Sequence, residues 1–329
     1  MAQNASGDRW VKERYLIVDG YNMFMRGWIV VPSVSSVSGE HIGGITGMLK
    51  MLQTAITIAN PSQIFVVWDG AGGNTKRRQI NKNYKAGRKP PKLNRFNLYD
   101  NKEDENKNRY WQQYRTIEYL NYMPVTQICE DGVEADDMIS FLCRQNPEVN
   151  KIILSSDKDF CQLADKTTVV YRPISKEVIT EETALDKFGV HPINLALARA
   201  IEGDKSDNLP GVPRVGLATV NKRFPFLQNE EFYSIDYLLD YARERLGTVK
   251  AYDNIVNHEK LIRENYQLMQ LYSPRIHSSA IEGFENALKK GPPSFDKKQV
   301  FKMFMIDGIF GINLTRLFNH YEKMEKVEE

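Results

Sequence analysis

An α/β domain with a mostly parallel central sheet, followed by an all-helical C-terminal region, is the fold class this sequence predicts. Three observations carry it: three short apolar runs that read as buried strands, segments of helical period between them, and a change of character after about residue 180. With 329 residues and 42% hydrophobic content, the chain can bury two cores.

Residues 1–14 are polar, lack the apolar stretch of a secretory signal, and read as a flexible lead-in. "YLIVD" (15–19), "IFVVWD" (64–69) and "KIILSSD" (151–157) are short runs rich in β-formers, as suits strands covered on both faces. "GITGMLKMLQTAITIA" (44–59) has helical period between the first two. In "DGVEADDMISFLCR", Ala135, Met138, Ile139 and Leu142 share one helical face, with Asp131 placed to cap it and Glu134 to complete a capping box. After about residue 180 helical segments alternate with Gly- and Pro-containing loops, and no internal repeat or low-complexity tract is present.

No run reaches the roughly 18 apolar residues that a membrane helix needs. Cys129, Cys143 and Cys161 are odd in number and lack CxxC spacing, which argues against a disulfide framework or zinc site and for a reducing, cytoplasmic setting. A mean hydropathy of -0.47 fits a soluble protein.

Each of the three strands ends in an aspartate. Ligands of open α/β sheets bind beyond the carboxyl ends of the strands, so Asp19, Asp69 and Asp157 are expected in one crevice. Aspartate also begins ordinary turns, which explains one such position better than three. Glu134, Asp136 and Asp137 open the next helix, Asp159 follows Asp157, and "EGDKSDNLPGV" adds Asp204 and Asp207. Two bare carboxylates about 4 Å apart repel by roughly 4 kcal/mol at an effective dielectric near 20. Divalent cations make such crowding tolerable. Oxygen donors without histidine or cysteine suit Mg²⁺ or Mn²⁺. Two such ions about 4 Å apart serve phosphoryl chemistry.

Between residues 70 and 99 there is no acid, and nine bases appear: Lys76, Arg77, Arg78, Lys82, Lys85, Arg88, Lys89, Lys92 and Arg95. A solvated face is the plain reading. The interleaved Tyr84, Phe96 and Tyr99 suggest instead a surface that tracks phosphates and stacks on bases. Setting the nine acids aside moves the formal charge from +2 to +11, as expected of a polyanion-binding protein. In "LPGVPRVGLATVNKRF", Gly211 and Gly216 bracket a tight turn ahead of a helix start, a place where backbone amides can approach a phosphate.

The blocks "VDGYNMFMR", "VVWDG", "RRQINKNYKAGR", "GVEADDMI", "LSSDKDFCQL" and "IEGDKSDNLPGVPRVG" resemble, in order, those of the 5′-nuclease superfamily: flap endonucleases and the 5′→3′ exonuclease domains of bacterial DNA polymerases. They cover residues 15 to about 224. "LIRENYQLMQLYSP" and the tail look most like the stand-alone ribonuclease H of T-even-type phages.

The resemblance implies a PIN-like catalytic domain over 15–180 with a helical arch at about 70–123. It also implies a helical domain over 181–329 with a helix–hairpin–helix-type (H3TH) motif at about 195–224. One metal site would draw on Asp19, Asp69, Glu134, Asp136 and Asp157; the other on Asp157, Asp159, Asp204 and Asp207. Asp137 belongs to the same cage, and Asp136, Asp137, Asp157, Lys85 and Arg88 are expected to be catalytic. Lys85 and Arg88 match the basic pair of the arch, and Arg77 an arginine at its base. Arg78, Lys82 and Tyr84 would join them on nucleic acid. Gly211, Val212, Arg214, Gly216 and Lys222 would hold duplex phosphates, with K⁺ at the hairpin. Met25 stands where many relatives have an aromatic residue, so base stacking would be weaker or fall to Tyr21 or Phe24.

The implied activity is a Mg²⁺-dependent, structure-specific 5′ nuclease that removes flaps and annealed RNA primers, acting on DNA or RNA–DNA hybrid with a free 5′ end. A monomer is expected, in the cytoplasm (host cytoplasm or nucleoid if phage-encoded), with a single-strand-binding protein or sliding clamp as partner in trans. Two other readings are weighed against it. An inactive fork-binding module would lack a cage acid, and none is missing; a PIN-type ribonuclease would leave Asp204, Asp207 and the glycine hairpin unexplained.

Overall fold

The computed structural model describes residues 13–31, 35–36, 38–86, 99 and 101–325. The lead-in over 1–12, Arg88 and the rest of the basic segment from residue 87 to 98 lie outside the described residues. Arg14, assigned above to the lead-in, already belongs to the first strand.

Six strands form one sheet: β1 (Arg14–Asp19), β2 (Gln63–Trp68), β3 (Thr126–Cys129), β4 (Asn150–Leu154), β5 (Thr168–Arg172) and β6 (Glu177–Ile179). Their order is β3-β2-β1-β4-β5-β6, all parallel except β6, which runs antiparallel to β5. The chain order reverses at β1, so the crevice between the ends of β1 and β4 is the switch point where open α/β sheets take their ligands. Side chains alternate across the sheet. Leu16, Val18, Ile64, Val66 and Leu154 join one core; Tyr15, Ile17, Phe65, Val67 and Ile153 join the other. Burial on both faces is why these strands read as unbroken apolar runs.

The first core is covered by helices Gly20–Val30, Gly43–Ala59 and Lys102–Leu120, and the second by Ala135–Gln145. Gly43–Ala59 ends on Asn60 in the left-handed conformation, a usual helix stop. Ala135–Gln145 begins later than the capping-box reading placed it: Glu134 is its N-cap, and Asp131 stands outside in the preceding turn. The cap comes instead from across the crevice, because Asp69 Oδ1 accepts from the Ala135 N–H at 2.9 Å.

Residues 190–266 build a third core, with Leu197, Ile201, Val220, Phe224, Leu238 and Ile262 at its centre. It holds helices Pro192–Glu202, Leu217–Arg223, Ile235–Arg243, Lys250–Asn257 and Glu259–Met269. The helical region over 181–329 divides its packing among the three cores. Ala280 and Phe284 of helix Ser278–Lys290 join the second sheet core. Met303 and Phe304 of Lys297–Asp307 join the first, as do Leu317, Phe318 and Tyr321 of Leu314–Glu325. The chain thus returns to roof the sheet it started from, driven by apolar surface the earlier helices leave bare.

Candidate active site

The register of the sheet sets the crevice. Asp19, the last residue of β1, lies level with Val67 of β2, and its neighbour Val18 lies level with Leu154, the last residue of β4. Asp69 follows β2 by one residue and Asp157 follows β4 by three, so all three reach the same end of the sheet. Gly70 makes the next step possible: a Cβ there would stand 1.7 Å from the Glu130 carbonyl oxygen. That close approach lays the segment after β2 against the turn that leads to Glu134.

Asp19 is buried and caps its own helix, accepting from Asn22 N–H (3.3 Å) while Ser155 Oγ donates to its other oxygen (2.8 Å). Burial pushes its carboxyl up to about 8, and the nearby Asp69 and Asp157 charges push the same way, against the Ser155 bond. Glu134 accepts from Lys85 Nζ at 2.6 Å and from the Tyr84 hydroxyl at 3.3 Å, and pairs with Arg77. Arg77 also contacts Asp136 Oδ1 (3.0 Å) and Asp137 Oδ1 (2.9 Å). Burial raises both aspartates. At Asp136 the cations Arg77 and Lys85 outweigh it and hold the carboxyl below its ordinary value, whereas at Asp137 the Asp136 charge adds to it and the carboxyl reaches about 7.

The second half of the crevice joins two cores. Asp157 Oδ1 accepts from the Asp159 N–H (2.9 Å). Arg199, on helix Pro192–Glu202, places Nη2 3.0 Å from Asp159 Oδ1 and on Asp204 Oδ2. Burial, then Asp157, push Asp159 up to about 8. Asp204 stays below its ordinary value because Ser206 and Arg199 overcome its burial. The Asp207 carbonyl accepts from the Lys85 N–H (2.8 Å), and the Asp207 charge acts on Asp157 and Asp159. All nine sequence-predicted acids therefore border one crevice.

They do not close on a single point. Among the described residues, the one trio of acid or histidine ligand atoms within 4.8 Å of one another is Glu181, His191 and Glu230, which lies away from the crevice. His191 there is an ordinary helix cap, accepting from Ile193 N–H on Nδ1 while Nε2 meets Glu181 at 2.9 Å. In the crevice, Arg77, Lys85 and Arg199 stand between the carboxylates. A donor set made only of carboxylate oxygens, held apart by the chain's own cations, fits hard divalent ions bound partly through water.

Several expected nucleic-acid contacts are corrected. Arg77 is buried among the acids and donates Nε to the Leu268 carbonyl (3.1 Å), so its charge faces the crevice acids and not the open surface. Tyr84 is 2% exposed, packed with Leu209, Leu268 and Met269, and offers no face to a base. Val212 is 4% exposed and its N–H is taken by the Ile201 carbonyl (2.8 Å). Phe24 is fully buried, which leaves the half-exposed Tyr21 as the aromatic beside Met25. Gly211 serves packing, since a Cβ there would meet the Glu202 carbonyl oxygen at 1.8 Å. Gly216 faces open space, and Arg78, Lys82, Arg214 and Lys222 are exposed. Lys85 is half-buried with a φ of 55, a left-handed conformation that its bonds to Glu134 and Asp207 hold in place.

Sequence reasoning missed Arg199 and Ser155. The signal for Arg199 was a single cation inside the apolar run "NLALARAIEG"; a buried charge of that kind requires a partner.

A parallel sheet with carboxylates gathered at its switch point, flanked by cations, defines a hydrolase of phosphate esters. Residues 14–189 match the family described as 5′-3′ exonuclease, N-terminal resolvase-like domain, and the chain belongs to that family. It is 32% identical over 219 residues to a 5′-3′ exonuclease of Aquifex aeolicus, covering 65% of this chain and 70% of that protein. It is 29% identical over 244 residues to Bacillus subtilis DNA polymerase I, covering 72% of this chain but only 25% of the polymerase. Among solved structures, the bacteriophage T5 flap endonuclease, crystallised with DNA and metal ions, aligns with a TM-score of 0.64 at 16% identity over 94% of this chain and all of that one. The DNA-bound catalytic core of Rad2 gives 0.53 at 14% identity over 95% and 93%. The chain is accordingly a 5′ nuclease that hydrolyses phosphodiesters.

Proposed function

We propose that this nuclease is Mg²⁺- or Mn²⁺-dependent and structure-specific, cutting 5′ flaps, nicks and RNA primers annealed to DNA. The observation that carries the reading is the meeting of Asp19, Asp69 and Asp157 from the strand ends with Asp204 and Asp207 from the helical core, across Arg199. Two divalent ions in this crevice would activate water and stabilise the charge on the scissile phosphate and leaving oxygen. Asp19, Asp69, Glu134, Asp136 and Asp157 would hold one ion, and Asp157, Asp159, Asp204 and Asp207 the other, with Asp137 in support. Lys85, whose ammonium already reaches Glu134, would turn to the scissile phosphate together with Arg88. Arg78 and Lys82 would guide the strand. Arg214, Lys222 and the open backbone at Gly216 would hold the duplex, with K⁺ at the hairpin.

We place the protein in the cytoplasm or nucleoid as a monomer, with a single-strand-binding protein or sliding clamp as partner. No helix among the described residues is long and apolar enough to cross a membrane. The test is digestion of 5′-labelled flap, nicked and RNA-primed duplexes with and without Mg²⁺. Asp157→Asn is expected to abolish cleavage while duplex binding stays measurable; near-normal cleavage by that variant overturns the site.

A further inference from the structure

Away from the crevice, three donors meet that the nuclease chemistry does not use. Among the described residues, ligand atoms of Glu181, His191 and Glu230 lie within 4.8 Å of one another. They come from separate segments. Glu181 is the first residue of helix Glu181–Phe188, whose Ala184 belongs to the second sheet core. His191 caps helix Pro192–Glu202, and Glu230 follows the turn Pro225–Gln228; both of those segments belong to the third core.

The fold fixes these positions. The His191 N–H donates to the Leu227 carbonyl (2.9 Å). Asn194, fully buried nearly one turn along the helix, donates Nδ2 to the carbonyls of Asn229 (3.2 Å) and Glu231 (2.9 Å), while its Oδ1 accepts from the Tyr233 N–H (3.1 Å). One buried amide thus pins the loop on both sides of Glu230.

The electrostatics differ from those of the crevice, where Arg77, Lys85 and Arg199 stand between the acids. Here Lys166 reaches Glu230 at 3.7 Å with both side chains exposed, a pair that water screens. Arg144 lines the same cavity but lies over the Tyr272 ring, 4.7 Å from its centre. Two carboxylates beside one buried imidazole are eased by a cation that joins them. The cavity, of about 340 Å³, leaves room for the water that would complete an ion's shell.

The donor set chooses the ion. An ion about 2.0–2.2 Å from each donor holds them about 3.4 Å apart. His191 Nε2 and Glu181 Oε1 are already 2.9 Å apart, and the exposed Glu230 has the freedom to close in. One imidazole with two carboxylates suits a borderline ion such as Zn²⁺, whereas Mg²⁺ prefers oxygen and keeps its waters. Nδ1 accepts from the Ile193 N–H at 3.4 Å, which leaves the Nε2 hydrogen for Glu181. A metal on Nε2 displaces that hydrogen to Nδ1 and gives up the long Ile193 bond.

We propose that Glu181, His191 and Glu230 form a further metal site, selective for Zn²⁺ over Mg²⁺, that staples helix Glu181–Phe188 of the sheet domain to the third core. The site is separate from the crevice and stands whether or not the crevice cleaves nucleic acid. Its use is mechanical: the third core carries Asp204 and Asp207, which must keep their place against Asp157 and Asp159.

The test titrates Zn²⁺ against a chromophoric chelator, with EDTA-stripped full-length protein in excess Mg²⁺. Wild type is expected to retain Zn²⁺, and Asp157→Asn, altered only in the crevice, to retain it at the trio. His191→Asn, which keeps a side chain able to cap the helix, should lose that Zn²⁺. Glu230→Gln should weaken it by more than about tenfold, since even an outer partner of a ligand is worth that much. Glu230 is exposed, so its variant stays folded and decides the case alone if His191→Asn does not fold. Zn²⁺ at about a hundred times its Kd should raise the wild-type Tm by about 5 °C and leave that of Glu230→Gln nearly unmoved. Binding unchanged in both trio variants, binding abolished by Asp157→Asn, or no Zn²⁺ uptake at all overturns the site.

Discussion

Arg199 stands 3.0 Å from Asp159, and through that pair a helix of one core meets the loop after a strand of another. The same guanidinium holds Asp204, so two crevice acids far apart in sequence share one buried cation. Removing one partner of such a group leaves uncompensated charge in a poorly solvated place, which typically costs about 3–5 kcal/mol. Arg199→Gln is expected to lower stability by an amount of that order in urea denaturation at pH 7. Arg199→Lys, which keeps the charge but reaches only one acid well, should recover part of it. Equal stability of all three proteins would show that the pair is incidental.

Asp19 supplies a pH signature. Its carboxyl moves from 3.8 to about 8 in the folded protein, so between those values the folded state keeps a proton that the unfolded chain gives up. Stability of the metal-free protein must then fall as pH rises through that window. In EDTA, the wild-type Tm is expected to drop from pH 6 to pH 8.5. Asp19→Asn should flatten the slope and raise Tm at pH 8.5, at roughly 2–4 °C per kcal/mol relieved, while abolishing cleavage. Parallel pH slopes for the two proteins would rule out Asp19 as the cause.

Lys85 and Arg77 both touch Glu134, but their burial separates their roles. Arg77 is locked among three acids, whereas Lys85 is half-exposed at the crevice edge and can swing to a substrate. Lys85→Ala is expected to cut kcat by about 10²–10³, the usual effect of losing one positioned charge on a reacting phosphate, with Tm little changed. Arg77→Ala should lower Tm first. Thermal melts beside single-turnover rates distinguish the two, and a Lys85→Ala enzyme of normal rate would remove that lysine from the chemistry.

Gly211 predicts a binding defect. Because a Cβ there meets the Glu202 carbonyl oxygen, Gly211→Ala must shift the hairpin against helix Pro192–Glu202. Duplex affinity should fall while cleavage of a short single-stranded 5′ end is spared. Filter binding with blunt duplex and with flap checks it; unchanged duplex affinity would mean that the hairpin does not contact the duplex.

The crevice was legible in the sequence because its acids sit at strand ends and helix starts, where local pattern and sheet topology fix position. β3, β5 and β6 escaped notice: each is short, and they lie toward the edges of the sheet, where apolar runs are brief. Arg77 and Tyr84 read as a basic, aromatic surface because their true partners lie elsewhere in the chain. Two of the three acids of Arg77 are 59 and 60 residues away, and Tyr84 bonds the third, Glu134, fifty residues on. No local pattern carries that information. The same holds for Val212 and for the Asp69 cap on Ala135, where one backbone N–H could have faced either solvent or a distant acceptor.

The return of the last helices to the sheet has a consequence for how the protein is made. The side chains that complete the cover of the sheet's two faces, Phe284 on one and Phe304 and Tyr321 on the other, are translated about 270 to 300 residues after β1. Until those helices are made, the sheet keeps part of each face uncovered, a state prone to bind chaperones. The crevice acids, all within residues 19–207, are thus made before the helices that finish the roof of the sheet they stand on.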